Sequence, residues 1–194
     1  GGVLLMGLLE PDRYFSSLAS IHIQQDLLGQ GLTCVLLDID NTLRSRASHD
    51  VPPSQRAWLA RARDAGVRFC LLSNNWHGDV YRFAEALDLP IVAKACKPLP
   101  FAYGAALDRM GVSKEETVAI GDQLMTDVAG AHLMGLQAWL VLPLSEVDIR
   151  RTLMLRNLER MLLGARQPEG APVSLEGSPV TMRGVNTSED GEGR

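Results

Sequence analysis

Two aspartates separated by a single residue, Asp38 and Asp40, follow directly after the apolar residues 34–37. Side chains two positions apart in an extended segment point to the same side. Carboxylates at that spacing repel each other, and each loses hydration when the site is partly buried. A bound cation would relieve this repulsion, whereas a pair without a chemical role would point to water. The pair is therefore the first candidate for chemistry in this chain.

Polar and charged side chains also follow three other apolar runs. They are Ser73 and Asn74 after residues 67–72, Lys94 and Lys97 after residues 90–93, and Asp122 and Asp127 after residues 116–121. If these runs are strands of one parallel sheet, their carboxyl ends share one edge, where ligands bind in such sheets. The sequence therefore predicts a site at that edge.

Acids, a hydroxyl and a lysine together suit a divalent cation and a phosphoryl group. Mg²⁺ prefers carboxylate and carbonyl oxygens, which the side chains of Asp38 and Asp122 and the backbone of Asp40 would supply. Asp38 would attack phosphorus and form an aspartyl-phosphate. Asp40 would protonate the leaving oxygen and later accept a proton from water. Ser73 and Lys97 would bind the phosphoryl oxygens as charge spreads over them.

Each group also has a simpler interpretation. An isolated Asp-x-Asp after a strand is most often a solvated turn, and Ser73 with Asn74 is most often a helix cap. Asp127 would favour the positive end of the helix that it begins, and Lys94 would be surface charge. The combination of all these groups at four strand ends favours a site.

Alternating strands and helices must position these residues. The predicted strands cover residues 33–39, 67–73, 90–95, 116–122 and 136–143. The predicted helices cover residues 55–66, 77–88, 100–111, 125–135 and 145–164. This alternation predicts an α/β fold, a parallel five-stranded sheet with helices on both faces. We expect a helical lead-in at residues 1–31, the domain itself at 32–164, and a disordered tail at 165–194, where Gly, Pro, Ser and Glu dominate.

Four motifs in this order resemble those of the haloacid dehalogenase (HAD) superfamily. "LLDIDNTL" resembles its nucleophile motif, "LLSNN" its second, "CKP" its third and "AIGDQLMTDV" its acidic fourth motif. Together with "PDRY" near the start, they resemble the YqeG group of capless HAD phosphatases, whose eukaryotic relatives include a mitochondrial phosphatidylglycerophosphate phosphatase. The resemblance implies a Rossmann-like, HAD-type fold.

The resemblance also implies a role for each matching residue. Asp38 would be the nucleophile and Asp40 the acid and base. The phosphate-binding residues would be Ser73, Asn74 and Lys97, and the metal site would comprise Asp38, Asp40 and Asp122, with Thr42 and Asp127 in support. Lys94 competes for the role of the third-motif lysine, but Pro98 after Lys97 favours Lys97.

The spacing of the motifs leaves no room for a cap domain. A loop and one predicted helix fill the stretch between Asp40 and Ser73, and one helix with a short strand fills the stretch from Ser73 to Lys97. We expect an open site that accepts a large or surface-bound phosphoester. The resemblance suggests phosphatidylglycerophosphate, while a nucleotide, a sugar phosphate or a phosphoprotein fits the residues equally well.

Composition limits the remaining classes of function and location. A net charge of −4 argues against a general nucleic-acid coat, and no apolar run is long enough to span a bilayer. The 3 cysteines show no pairing motif, which predicts a cytoplasmic setting without a zinc site. The predicted helix at 145–164 has a basic face, which is either solvated or in peripheral contact with anionic lipid.

Two other functions compete with a phosphatase. A phospho-receiver module also collects acids, a hydroxyl and a lysine at strand ends, although its phosphorylated aspartate follows a middle strand of the chain. An inactive binding scaffold would keep the fold and recruit a partner, but the intact Asp38, Asp40, Lys97 and Asp122 argue against it.

Overall fold

The structure is a computed structural model that describes residues 2–145 and 159–170. The predicted basic helix at 145–164 therefore lies mostly outside the described residues. The predicted tail lies outside them from residue 171 onward.

A single parallel sheet of six strands forms the centre of the fold. In chain order the strands are β1 Arg13–Phe15, β2 Cys34–Asp38, β3 Arg68–Leu72, β4 Ile91–Val92, β5 Thr117–Gly121 and β6 Gln137–Val141. Their order across the sheet is β1-β6-β5-β2-β3-β4, and every neighbouring pair is parallel. The predicted Rossmann-like α/β architecture is confirmed, with six strands instead of the predicted five.

Helices cover both faces of this sheet, as predicted. They are α1 Gly2–Leu9, α2 Pro53–Asp64, α3 Asp79–Ala86, α4 Phe101–Met110 and α5 Ala129–Met134. The connections that follow β2 and β3 contain only α2 and α3, respectively, so neither holds a cap domain.

The side chains of β2 alternate between two separate hydrophobic cores. Val35 and Leu37 pack in one core with Trp58 of α2, whereas Leu36 packs in the other core with Tyr103 of α4. Successive residues of a strand point to opposite faces, so a strand buried on both faces reads as one continuous apolar run. This burial holds β2 at the centre of the sheet and fixes the position of its carboxyl end.

The additional strand, β1, corrects the expectation of a helical lead-in at residues 1–31. Asp12 starts the pairing with β6, because its backbone N–H donates to the carbonyl of Ala138 and its carboxylate accepts from the N–H of Ala138, both at 2.8 Å. Three residues are too few to show a strand periodicity in the sequence. Only short 3₁₀ and π turns, between residues 18 and 30, connect β1 to β2.

The segment 165–170 also differs from the sequence-based expectation of a disordered tail. The backbone of Glu169 exchanges hydrogen bonds of 2.8 Å with the backbone of Tyr14 and Ser16, beside β1. The Glu169 carboxylate also pairs with the Arg13 guanidinium at 2.8 Å. These residues therefore extend the ordered part of the domain at its β1 edge.

None of the helices in residues 2–145 and 159–170 has both the length and the apolar character required to cross a membrane.

Close packing of α5 against α4 gives a stability prediction. A Cβ atom at Gly130 would lie 2.7 Å from the Tyr103 ring and 3.2 Å from the Pro98 backbone. We expect Gly130→Ala to lower the free energy of unfolding by about 1–3 kcal/mol through overpacking, measured by urea denaturation. Gly104→Ala in α4 is the matched control, because its Cβ would lie an ordinary 3.5 Å from Met134. Equal stabilities of the two variants would contradict this packing argument.

Candidate active site

The carboxyl ends of β2, β3 and β5 open into one cavity of about 340 Å³. β2 ends at Asp38, and Ser73 and Asp122 directly follow β3 and β5. The predicted site residues that line the cavity are Asp38, Asp40, Ser73, Asn74, Lys97 and Asp127. The other two, Thr42 and Asp122, lie buried next to Asp38. The Thr42 hydroxyl lies within hydrogen-bond distance of both Asp38 and Asp122. The sheet therefore brings all eight predicted residues together.

Three carboxylates form a compact acidic cluster. Asp38, Asp122 and Asp127 each contribute an oxygen that lies within 4.8 Å of the other two. The Thr42 hydroxyl lies 3.0 Å from Asp38 Oδ2 and 3.3 Å from Asp122 Oδ1, and its single proton can serve only one of them at a time. The Asp40 side chain is not part of this cluster, which leaves only its backbone for the predicted metal contact.

The acids of this cluster destabilise one another when no cation is bound. Burial, followed by the charge of Asp38, raises the pKa of Asp122 well above its usual range. Burial and the same charge raise the pKa of Asp127 to about 6. Hard carboxylate oxygens suit a divalent cation, whose charge would reverse this repulsion. The donor set therefore fits a divalent metal ion.

A buried lysine neutralises part of the cluster. Lys97 Nζ donates to Asp38 Oδ1 at 2.7 Å and to Asp127 Oδ1 at 2.6 Å, and its side chain is 3% exposed. Burial lowers the pKa of Lys97, but the two acids outweigh this effect and hold the pKa above its ordinary value. Lys97 therefore stays charged beside Asp38. Lys94 instead is exposed and stacks over the exposed Trp76 ring at 5.2 Å, outside the cavity lining.

The segment after β3 holds Lys97 in place. The Asn74 side chain accepts a hydrogen bond from the Lys97 N–H at 2.8 Å and donates one to its carbonyl at 3.1 Å. Asn74 therefore lies at the predicted site, and both polar atoms of its amide contact the Lys97 backbone. Ser73 is buried, and its hydroxyl oxygen accepts a hydrogen bond from the Asn75 N–H at 3.0 Å. That hydroxyl still has its own proton available for a ligand.

Arg44, Arg46 and several other polar side chains near the site are not among the residues that the sequence predicts for it. Arg44 is buried and pairs with Asp40 at 2.9 Å. Further polar residues in the cavity lining are Arg46, His49, Asn75, His77, Gln123 and Thr126. Most of them lie in loops after β2 and β3, where no periodic pattern marks a residue. The spacing of four between Asp40 and Arg44 was the available signal for their ion pair.

Comparisons with known proteins identify relatives of this chain. A family model described as "HAD-hydrolase-like" matches residues 95–143. The chain is 32% identical over 161 residues to "Probable phosphatase YqeG" of Bacillus subtilis, covering 82% of this chain and 92% of that protein. It is also 32% identical over 105 residues to a phosphoserine phosphatase of Thermus thermophilus, covering 49% of this chain and 42% of that protein.

A solved structure supports the fold. The 4-nitrophenylphosphatase of Thermotoga maritima superposes with a TM-score of 0.55 at 14% identity, covering 77% of this chain and 95% of that one. The YqeG relative carries the assignment to a family, because the identity of 32% extends over most of both chains. This chain therefore belongs to the YqeG family of HAD-superfamily hydrolases and is a phosphatase.

Proposed function

We propose that this protein is a Mg²⁺-dependent phosphomonoester phosphatase that acts through an aspartyl-phosphate on Asp38. The observation that carries the proposal is the placement of Asp38 between a buried lysine and two further acids at the mouth of an open cavity. A carboxylate that attacks an anionic phosphoryl group needs positive charge nearby. Lys97 supplies it on one side of Asp38, and a cation held by the two acids would supply it on the other.

The acidic cluster supports the proposed metal. Asp38, Asp122 and Asp127 would hold Mg²⁺, together with the backbone carbonyl of Asp40. A bound Mg²⁺ would neutralise charge on the phosphoryl oxygens and on the attacking carboxylate.

The side chains of this protein would perform the remaining chemistry in two displacements. An oxygen of Asp38 attacks phosphorus, and the bond between phosphorus and the ester oxygen breaks. The departing oxygen takes a proton from the Asp40 carboxyl and leaves as an alcohol. A water molecule then attacks the aspartyl-phosphate and gives its proton to Asp40, which releases phosphate and restores Asp38. Ser73 and Lys97 hold the phosphoryl oxygens throughout.

Residues at and near the cavity support the proposal that the substrate is a large phosphoester with a second anionic group. Arg46 lines the cavity, is half-buried and forms no ion pair with any of the described carboxylates. The exposed apolar residues Trp76, Leu99, Phe101 and Met125 follow strands β3, β4 and β5, within a few chain positions of the cavity residues Asn75, Lys97 and Thr126. Phosphatidylglycerophosphate combines a terminal phosphate, a second phosphate and apolar chains, so we propose it as the first substrate to test, with the protein in peripheral contact with the lipid surface.

The catalytic proposal is tested by replacing the nucleophile. We expect Asp38→Asn to lower phosphate release by about three orders of magnitude or more, because an amide cannot form the aspartyl-phosphate. Phosphate release is measured with Mg²⁺ on 4-nitrophenyl phosphate, a sugar phosphate, a nucleotide, a phosphoprotein and phosphatidylglycerophosphate in mixed micelles. Asp64→Asn, on the exposed end of α2, is the control and should retain wild-type rates. Turnover by Asp38→Asn at the wild-type rate would refute the mechanism.

The metal proposal is tested by thermal unfolding with and without Mg²⁺. Asp122 destabilises the metal-free fold in its ionised form, since burial and the neighbouring acids raise its pKa. We expect Asp122→Asn to raise the melting temperature of the metal-free protein at about pH 8, and this gain to shrink as the pH falls and Asp122 takes up its proton.

Mg²⁺ itself should stabilise the wild-type protein and fail to stabilise Asp122→Asn. At about 100 times the dissociation constant, a ligand adds about 2.7 kcal/mol to the free energy of unfolding. We expect that gain to disappear in Asp122→Asn and to remain in Asp64→Asn. An undiminished response of Asp122→Asn to Mg²⁺ would remove Asp122 from the metal site.

The substrate proposal predicts a selective role for Arg46. We expect Arg46→Gln to raise KM about 10-fold for substrates with a second anionic group near the phosphate, because a charge-assisted hydrogen bond of roughly 1.5–3 kcal/mol is lost. KM for 4-nitrophenyl phosphate, which has no second anion, should change little. Equal KM changes for both kinds of substrate would contradict recognition of a second anion.

A further inference from the structure

The guanidinium of Arg44 occupies a buried position immediately next to the site. Its side chain is only 3% exposed, although a buried cation is costly unless its N–H groups are satisfied. Arg44 Nε donates to Asp40 Oδ1 at 2.9 Å, and Nη2 donates to Asp79 Oδ2 at 3.1 Å. The Cζ atom also lies 4.8 Å from the centre of the Phe83 ring. Two carboxylates and an aromatic face therefore hold this cation in one orientation.

Helix α3 provides the fixed side of this arrangement. Asp79 is the first residue of α3, and Phe83 follows one turn later on the same helix face. Val80 of α3 is fully buried in the core, which holds the helix against the sheet. The Arg44 backbone is fixed as well, because its carbonyl accepts the Asn41 N–H at 2.8 Å.

We propose that Arg44, anchored by Asp79 and Phe83, is a positioning residue that aims the Asp40 carboxyl at the leaving oxygen of the substrate. This inference rests on the proposed function. Arg44 engages Asp40 Oδ1, while Asp40 Oδ2 accepts no hydrogen bond from the described residues. Oδ2 is thereby left to carry the proton in the cavity that Asp40 lines with Asp38.

The planar guanidinium suits this task better than an ammonium group. Its N–H groups point in fixed directions, so a contact to Nε sets the carboxylate plane as well as its distance. Asp79 shares the charge of Arg44, so that Asp40 is not the only counterion of a buried cation. A proton donor must lie within hydrogen-bond distance of its target, and a misplacement of about 1 Å can lower the rate about 100-fold.

Dependence on the leaving group separates positioning from general damage. An alkoxide needs a proton as it departs, whereas 4-nitrophenolate is stable enough to leave without one. Loss of a correctly placed proton donor should therefore slow the hydrolysis of alkyl phosphates far more than the hydrolysis of aryl phosphates. It should leave KM unchanged, because Ser73 and Lys97 still bind the phosphoryl group.

The experiment compares kcat and KM for glycerol phosphate and 4-nitrophenyl phosphate, both with Mg²⁺. We expect Arg44→Met to lower kcat for glycerol phosphate by about 10- to 100-fold and for 4-nitrophenyl phosphate by only a few-fold. Arg44→Lys keeps the charge without the planar fork and should give an intermediate ratio of the two rates. Asp79→Asn should shift the ratio in the same direction by a smaller amount.

Arg63→Met is the matched control. Arg63 holds the other end of α3, through hydrogen bonds to the carbonyls of Leu87 at 2.8 Å and Asp88 at 3.2 Å, and it lies outside the cavity lining. We expect the ratio of the two rates in this variant to equal that of the wild type. Thermal unfolding of every variant verifies folding. If Arg44→Met is unstable, Asp79→Asn still tests the proposal, because the Asp79 side chain is 29% exposed and its replacement disturbs the fold less.

An unchanged ratio in Asp79→Asn and in the Arg44 variants, or an equal loss of both rates, would overturn the positioning role. A changed ratio in Arg63→Met would overturn it too, because the effect would then follow from loosening α3. The proposed function fails separately, since activity of Asp38→Asn refutes that function whatever the ratio shows.

Discussion

Mutual repulsion among Asp38, Asp122 and Asp127 is the constraint around which the rest of the site is arranged. Their oxygens lie within 4.8 Å of one another in a largely buried position, which raises the pKa of Asp122 and Asp127. Lys97 supplies one positive charge, and its hydrogen bonds of 2.7 and 2.6 Å reach only Asp38 and Asp127. The net negative charge that remains is the physical reason for expecting a divalent cation. A folded protein retains such a cluster at the expense of stability, which is typical of functional sites.

The order of the strands explains how distant parts of the chain meet at this cluster. β2 lies between β5 and β3, so Asp38 at its end has Asp122 on one side and Ser73 on the other. The strand order reverses direction around β2, and ligands in open α/β sheets bind at such a point. Asn74 then connects the segment after β3 to the Lys97 backbone. This contact positions the lysine beside the acids that follow β2 and β5.

Sequence reasoning could predict the features that depend on residue type and short spacing. Asp38 and Asp122 follow short, uninterrupted apolar runs, so their strands and their shared edge were evident. The strand at Arg13–Phe15 was not, because its pairing with β6 depends on contacts that only the folded chain provides. The contacts of Glu169 beside β1 were hidden for the same reason. The sequence places Asp127 at this edge in a supporting role, but its distance to Asp38 depends on the helical turn Leu124–Val128 after β5 and is not evident from spacing.

The two aspartates of the opening motif occupy different surroundings, and this difference favours turnover over a stable phospho-signal. Asp38 contacts Lys97 and Thr42 within the acidic cluster, which suits the nucleophile that we propose beside a cation. The Asp40 side chain instead pairs with Arg44, which suits the proposed proton carrier, whose carboxyl group must stay off the cation. Two carboxyl groups whose surroundings differ can divide the roles of nucleophile and acid. A receiver needs only the first role, and an inactive scaffold needs neither. The proposed catalytic function thus explains the buried contact between Arg44 and Asp40, whereas a receiver or an inactive scaffold does not explain it.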